Sequence, residues 1–217
     1  MKRIFMIFCL SIFVYSCSSD DDDMANAITV DFSEFKEFEE EDVQPYPRNI
    51  EYPSDVSFVG FATRAENGNL YFEEIFGDCD MPEPEDCFDI DALDPRTGFQ
   101  ACKGLYGYDC HDFLIAVRSG EVEVINNISE FRDLTGGEID TLPEVLFVLR
   151  ADSFRVETNN IETGAYKEVN DGFEIIATKL ISDCAPIVAN RYHLKVLHSG
   201  EIKVLAEEEY FRSEYCI

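Results

Sequence analysis

The chain has 217 residues, and its 45 acidic side chains against 17 basic ones give a net charge of −28. A polypeptide this acidic repels phosphate backbones and anionic membrane surfaces, which excludes nucleic acid as a partner. The apolar share of 46%, with 18 phenylalanines, excludes wholesale disorder and leaves ample material for a core.

The first seventeen residues carry a short basic start (Lys2, Arg3), an apolar run from Ile4 to Tyr15, then Ser16 and Cys17. Twelve residues are too few for a bilayer-spanning helix, which needs about 20. The pattern is that of an export signal removed during maturation. It resembles bacterial lipoprotein signals, in which cleavage precedes a cysteine that becomes the acylated N-terminus, here Cys17. Removal of residues 1–16 leaves 201 residues with a net charge of −30. The resemblance implies a chain held to a membrane through acylated Cys17 rather than threaded through it, since two acyl chains already anchor stably.

Ser18-Ser19-Asp20-Asp21-Asp22-Asp23 follows, a like-charged block that self-repels and stays extended. It is similar to the acidic export tag of Bacteroidota surface lipoproteins. That likeness implies an outer-membrane address facing the cell exterior. Residues 17–49 then form an acylated cysteine, an acidic tether and a short amphipathic segment, and residues 50–217 a single domain. Within the segment, Phe32, Phe35 and Phe38 recur every third residue among glutamates, which predicts one face of a short helix between Ile28 and Asp42. Pro45, Pro47 and Pro53 break it.

Beyond the prolines, Val56–Arg64 and Leu70–Phe76 read as a hairpin about Asn67-Gly68. Phe113–Arg118 and Val122–Asn126 read as another about Ser119-Gly120. Asn127 with Glu130, and Thr141 with Glu144, have the spacing of helix-capping boxes, so two helices are expected. Gly136-Gly137 ends the first, and Leu142, Val145, Leu146 and Leu149 form the apolar face of the second. The tail reads as a meander, with Tyr166–Val169 returning as Phe173–Ile181 and Arg191–Leu197 as Glu201–Tyr210. The predicted fold is α+β, an antiparallel sheet of hairpins and a C-terminal meander with two helices on one face.

Six cysteines remain in the mature chain: Cys79, Cys87, Cys102, Cys110, Cys184 and Cys216. An even number in an exported protein predicts a disulfide-stapled fold. Phe76-x-x-Cys79-x6-Asp86-Cys87-x-Asp89-Ile90 recurs 23 residues on as Phe99-x-x-Cys102-x6-Asp109-Cys110-x-Asp112-Phe113. Local closure within each repeat, Cys79–Cys87 and Cys102–Cys110, with Cys184–Cys216 at the C-terminus, is the preferred pairing. Bridges between the two loops remain the alternative.

Candidate chemistry is sparse. Asp78, Asp80, Asp86, Asp89, Asp91 and Asp94 crowd hard oxygen donors into one loop, a weak candidate for calcium without the EF-hand pattern. The bland reading, a solvated acidic loop, is preferred and no other cofactor is expected. Cys110-His111-Asp112 gathers a nucleophile, a base and an acid, but neighbours on an extended chain point apart. His193 and His198, five apart, read as structural. No G-x-S-x-G, H-E-x-x-H, phosphate-loop or dinucleotide fingerprint occurs. Asp140-Thr141-Leu142 is similar to the short acceptor motif for O-linked sugars in Bacteroidota, in competition with a capping role for Thr141.

The expectation is therefore a non-enzymatic binding or envelope-structural module with a protein or glycan partner. The alternative is an extracytoplasmic hydrolase or an accessory subunit of a polysaccharide-utilisation system.

Overall fold

The computed structural model describes residues 28–43, 49–65, 70–77, 93, 98–102, 110–183 and 186–214. Ten strands and three helices follow the order β1 (Lys36–Glu37), α1 (Glu40–Val43), β2 (Val56–Ala65), β3 (Leu70–Gly77), β4 (Phe99–Cys102), β5 (Cys110–Arg118), β6 (Glu121–Ile125), α2 (Ile128–Thr135), α3 (Leu142–Ala151), β7 (Ala165–Val169), β8 (Gly172–Asp183), β9 (Ile187–Leu197) and β10 (Ile202–Ser213). The class is α+β and all the strand pairs within the sheets are antiparallel.

The expectation of one sheet is corrected to two. The first sheet runs β1-β7-β8-β9-β10 and the second β3-β2-β5-β4, with β6 also paired to β5. The long β5 makes this possible. Its first half pairs with β4 (Gln100↔His111) and its second half with β6 (Leu114↔Ile125) along the same edge. Local turns fix the hairpins, whereas the β2–β5 pairing joins strands distant in sequence and rests on side-chain packing.

One core joins both sheets to the helices. Val59, Leu114 and Phe99 from the second sheet, Phe131 and Leu134 from α2, and Ile175, Leu194 and Val196 from the first sheet belong to a single cluster. α3 is packed on every side, because Val145 through Leu149 are consecutive and all buried. The expected one-faced amphipathic helix is thus a core helix. Phe147 stacks on Phe131 and meets Phe99 edge to face. At its C-terminal end Asp152 reaches Lys179 of the first sheet, and Arg150 reaches the second.

The capping box of α3 forms, and α2 starts on a related arrangement in which the returning bond falls on Asn126, one residue before the cap. Asn127 Oδ1 accepts from Glu130 N at 3.0 Å, while Glu130 Oε2 accepts from Asn126 N. Glu144 Oε2 accepts from the N–H groups of Asp140 and Thr141 at 3.0 and 2.9 Å. These bonds satisfy donors that a helix N-terminus otherwise leaves without partners. Gly136, at φ +116, ends α2 as expected.

The helix predicted over Ile28–Asp42 is replaced by an extended strap. Ile28 donates to Glu208 on β10; Phe35 packs with Ala165 and Ile176 on the outer face of the first sheet; Lys36–Glu37 then join β7 as its edge partner. Only a single 3-10 turn, Phe32–Glu34, and the four residues of α1 are helical. The three phenylalanines do not share a face: Phe32 and Phe35 lie outside the sheet and Phe38 lies in the main core. Every-third spacing fits a helix, but an extended chain can serve it when one aromatic passes over the sheet edge.

Candidate functional site

The second sheet meets the first around a cleft of about 500 Å³. Its walls come from four places: Gly98 and Phe99 at the start of β4, Asn126 to Ile128 at the cap of α2, Val148, Ala151 and Asp152 at the C-terminal end of α3, and Gly200 and Ile202 around the β9–β10 turn. The turn is fixed from its far side, where His198 Nδ1 lies 2.9 Å from the Ile139 carbonyl and Ile139 N donates to the His198 carbonyl at 2.9 Å. Gly200 sits at φ +81, and a Cβ there would lie 2.5 Å from Ile128 Cγ2. Glycine therefore sets both the turn and the distance between the turn and α2.

Half of the lining residues are apolar (Phe99, Ile128, Val148, Ala151 and Ile202), and the rest are Asn126, Asn127, Asp152 and two glycines. Asn127 Oδ1 is spent on the helix cap, and its amide donates to Asn126 Oδ1 at 3.2 Å. Asp152 is exposed and pairs with Lys179 at 3.5 Å. The cleft thus brings together an apolar surface, one carboxylate and two amide side chains among the described residues. That suits a small neutral or cationic group held by contact and hydrogen bonds. Among the described residues a single carboxylate and neither histidine nor cysteine line it.

Among the described residues, the most perturbed carboxyl lies elsewhere. Asp112 on β5 is 2% exposed; it accepts from Thr63 Oγ1 at 2.6 Å and faces Arg150 Nη2 at 3.4 Å. Burial pushes its carboxyl up to about 6, against the Thr63 hydrogen bond that favours the charged form. Arg150 covers it from the helix, with its guanidinium over the Phe61 ring at 5.3 Å. Burial also lowers the Arg150 pKa, with the charge of Arg155 adding to it. The group is a closed polar knot, satisfied from β2 and α3.

The sequence-predicted site residues fall as follows. Cys17, Cys79, Cys87, Cys184 and Cys216 and the acidic run Asp78, Asp80, Asp86, Asp89, Asp91 and Asp94 lie outside the described residues. Cys102 and Cys110 are described as backbone positions and stand opposite each other in the β4–β5 register. His111 and Asp112 do point to opposite faces: the His111 ring approaches Phe113 at 6.2 Å, whereas Asp112 faces Thr63 and Arg150. His193 lies under the strap, 3.0 Å from Glu174 Oε2 and edge-on to Phe35, whereas His198 meets the Ile139 carbonyl. Thr141 is exposed at the start of α3. Among the described residues no group of three histidine, cysteine or acidic side chains gathers as a metal site.

Thr63, Arg150, Asn126 and Asp152 carry no signal that sequence reasoning used. The one usable hint was Asp112 itself, an acid at the head of the apolar run Phe113–Val117. An acid there needs a partner when the strand is central. No family model, no curated protein and no solved structure matches this chain.

Proposed function

We propose that this chain is a lipid-anchored protein of the outer membrane, facing the cell exterior, whose folded part binds a protein or glycan partner or serves envelope structure without catalysing a reaction. The observation that carries the reading is Cys17 in register after a short apolar run and Ser16, followed at once by four aspartates. The architecture supports it from the other end. The strap that begins at Ile28 is bonded to the last strand and packed by Phe35, so a pull on the N-terminus is borne by the folded part itself. Asp112 is sealed by Thr63 and Arg150 and the cleft carries one carboxylate, which favours binding over hydrolysis.

Disulfide stapling belongs to the same proposal. Opposed residues of an antiparallel pair have Cα atoms about 4.5–5.5 Å apart, inside the range that a disulfide spans. The Cys102↔Cys110 register therefore supports that bridge. Asp183, Ile187 and Ser213 are aligned across β8, β9 and β10, which supports Cys184–Cys216 at the same end of the sheet. Weak calcium binding by the loop carrying Asp78 to Asp94 remains a proposal on sequence grounds.

Metabolic labelling with a palmitate analogue tests the anchor. Label is expected in the native protein and absent from Cys17→Ala; equal labelling of both would overturn the reading.

A further inference from the structure

The outer face of the first sheet carries an apolar patch beyond the strap. β9 alternates, so Ala189 lies on the same face as Arg191 and His193, and the register sets Leu180 on one side of Ala189 and Phe211 on the other. Tyr210, at the bulge between Glu209 and Phe211, joins this row through the Arg191 guanidinium over its ring, and Ile181 stands at the bulge between Leu180 and Ser182. Ile181, Tyr210 and Phe211 are 51%, 44% and 49% exposed, unusual for large apolar side chains in so acidic a protein.

Two further facts bear on what meets the patch. Ile28, where the described chain begins, donates to Glu208 two residues from Tyr210, and Arg191 joins them by pairing with Glu208 and lying over the Tyr210 ring. The eleven residues from Cys17 to Ile28 reach at most about 40 Å. In addition, Glu208 on the patch face pairs with Arg191 and Glu209 pairs with Arg212, while Glu207 stands opposite the core residue Tyr192 and faces the other way. Two cations thus sit beside the patch on a chain of −28.

We propose that this patch rests on the lipid bilayer as a second, non-covalent membrane contact beside the acyl anchor. The inference depends on the lipid-anchored reading given above. Tyr210 and Phe211 enter the headgroup region, where a ring with an apolar body and, for Tyr210, a polar tip is favoured. The contact would orient the folded part with β10 toward the membrane and the cleft wall at α2 and α3 away from the tether.

The full-length acylated protein in phosphatidylcholine vesicles containing brominated lipid provides the test. The native chain has no tryptophan, so Phe211→Trp and Tyr71→Trp each introduce a single reporter. Tyr71 is 64% exposed on β3, the outermost strand of the other sheet. Emission from Phe211→Trp is expected to fall about twofold on adding brominated lipid while Tyr71→Trp is unchanged. Equal quenching at both positions, or none at position 211 in protein that floats with the vesicles, would overturn the patch contact and leave the anchor standing. Protein that does not float with the vesicles would overturn both.

Discussion

Ile28 N donates to Glu208 Oε2 at 2.9 Å across 180 residues of chain. The bond ties the strap to the last strand, and the strap then crosses β9 and β8 to pair with β7. Its hold comes mainly from Phe35, which is 8% exposed against Ala165, Ile176, His193 and Lys167.

Phe35→Ala is expected to destabilise the protein by about 3 kcal/mol, as for other buried phenylalanine truncations. Lys36→Ala, on an exposed position of β1, is expected to change it by less than about 0.5 kcal/mol. Urea denaturation of both variants reads the difference, and equal midpoints would show that the strap is not part of the cooperative unit.

Asp112 predicts a pH dependence of defined sign. Its carboxyl is raised by burial to about 6 from an ordinary 3.8. The folded protein therefore holds this proton more tightly than the unfolded chain. The stability it contributes is complete below about pH 4 and lost as pH rises through about 6. Asp112→Asn keeps the shape, and Thr63 can still donate to its amide oxygen. At pH 8 the variant is expected to be about 2 kcal/mol more stable than the native protein, and at pH 4 equal to it. Arg150, whose side chain is 46% exposed, loses its partner at small cost. A constant difference between the two proteins from pH 4 to 8 would sink the assignment.

Gly200 predicts a two-part penalty. Gly200→Ala places a Cβ 2.5 Å from Ile128 Cγ2 and holds a non-glycine residue at φ +81. The backbone part is about 1–2 kcal/mol, and the clash adds to it. In the background of Ile128→Ala the clash disappears and the backbone part stays, so the Gly200→Ala cost should shrink without vanishing. Additive costs in the double-mutant cycle would show that the two residues do not press on each other.

Non-reducing mass mapping of the mature domain is expected to recover Cys102–Cys110 and Cys184–Cys216. Removal of the first pair by Cys102→Ala with Cys110→Ala is expected to cost on the order of 2–3 kcal/mol. Free thiols at Cys110 or Cys184, or a bridge from Cys79 to Cys102, would refute the local closure.

Much of the local structure was legible because its signals are local. Ser119 and Gly120 have positive φ in the β5–β6 turn, and Glu130 N donates to Asn127 Oδ1 at the start of α2 as their spacing implied. The division into two sheets was not legible, since a hairpin pattern does not say which hairpins join; that depends on β2 meeting β5, as in Phe61↔Leu114. β4 escaped because Phe99–Cys102 is too short to show alternation. The strap was misread because Phe32, Phe35 and Phe38 bury themselves on two different layers. The Asp112 knot stayed hidden because Thr63 and Arg150 come from distant segments, and the cleft because its walls come from four.

The pairing of Ile28 with Glu208 also sets an order of assembly. A polypeptide emerging from its N-terminus cannot seat its leading segment until nearly the last strand has been delivered. Closing so long a loop is entropically late. The strap therefore docks late in folding, once β10 has found its place beside β9.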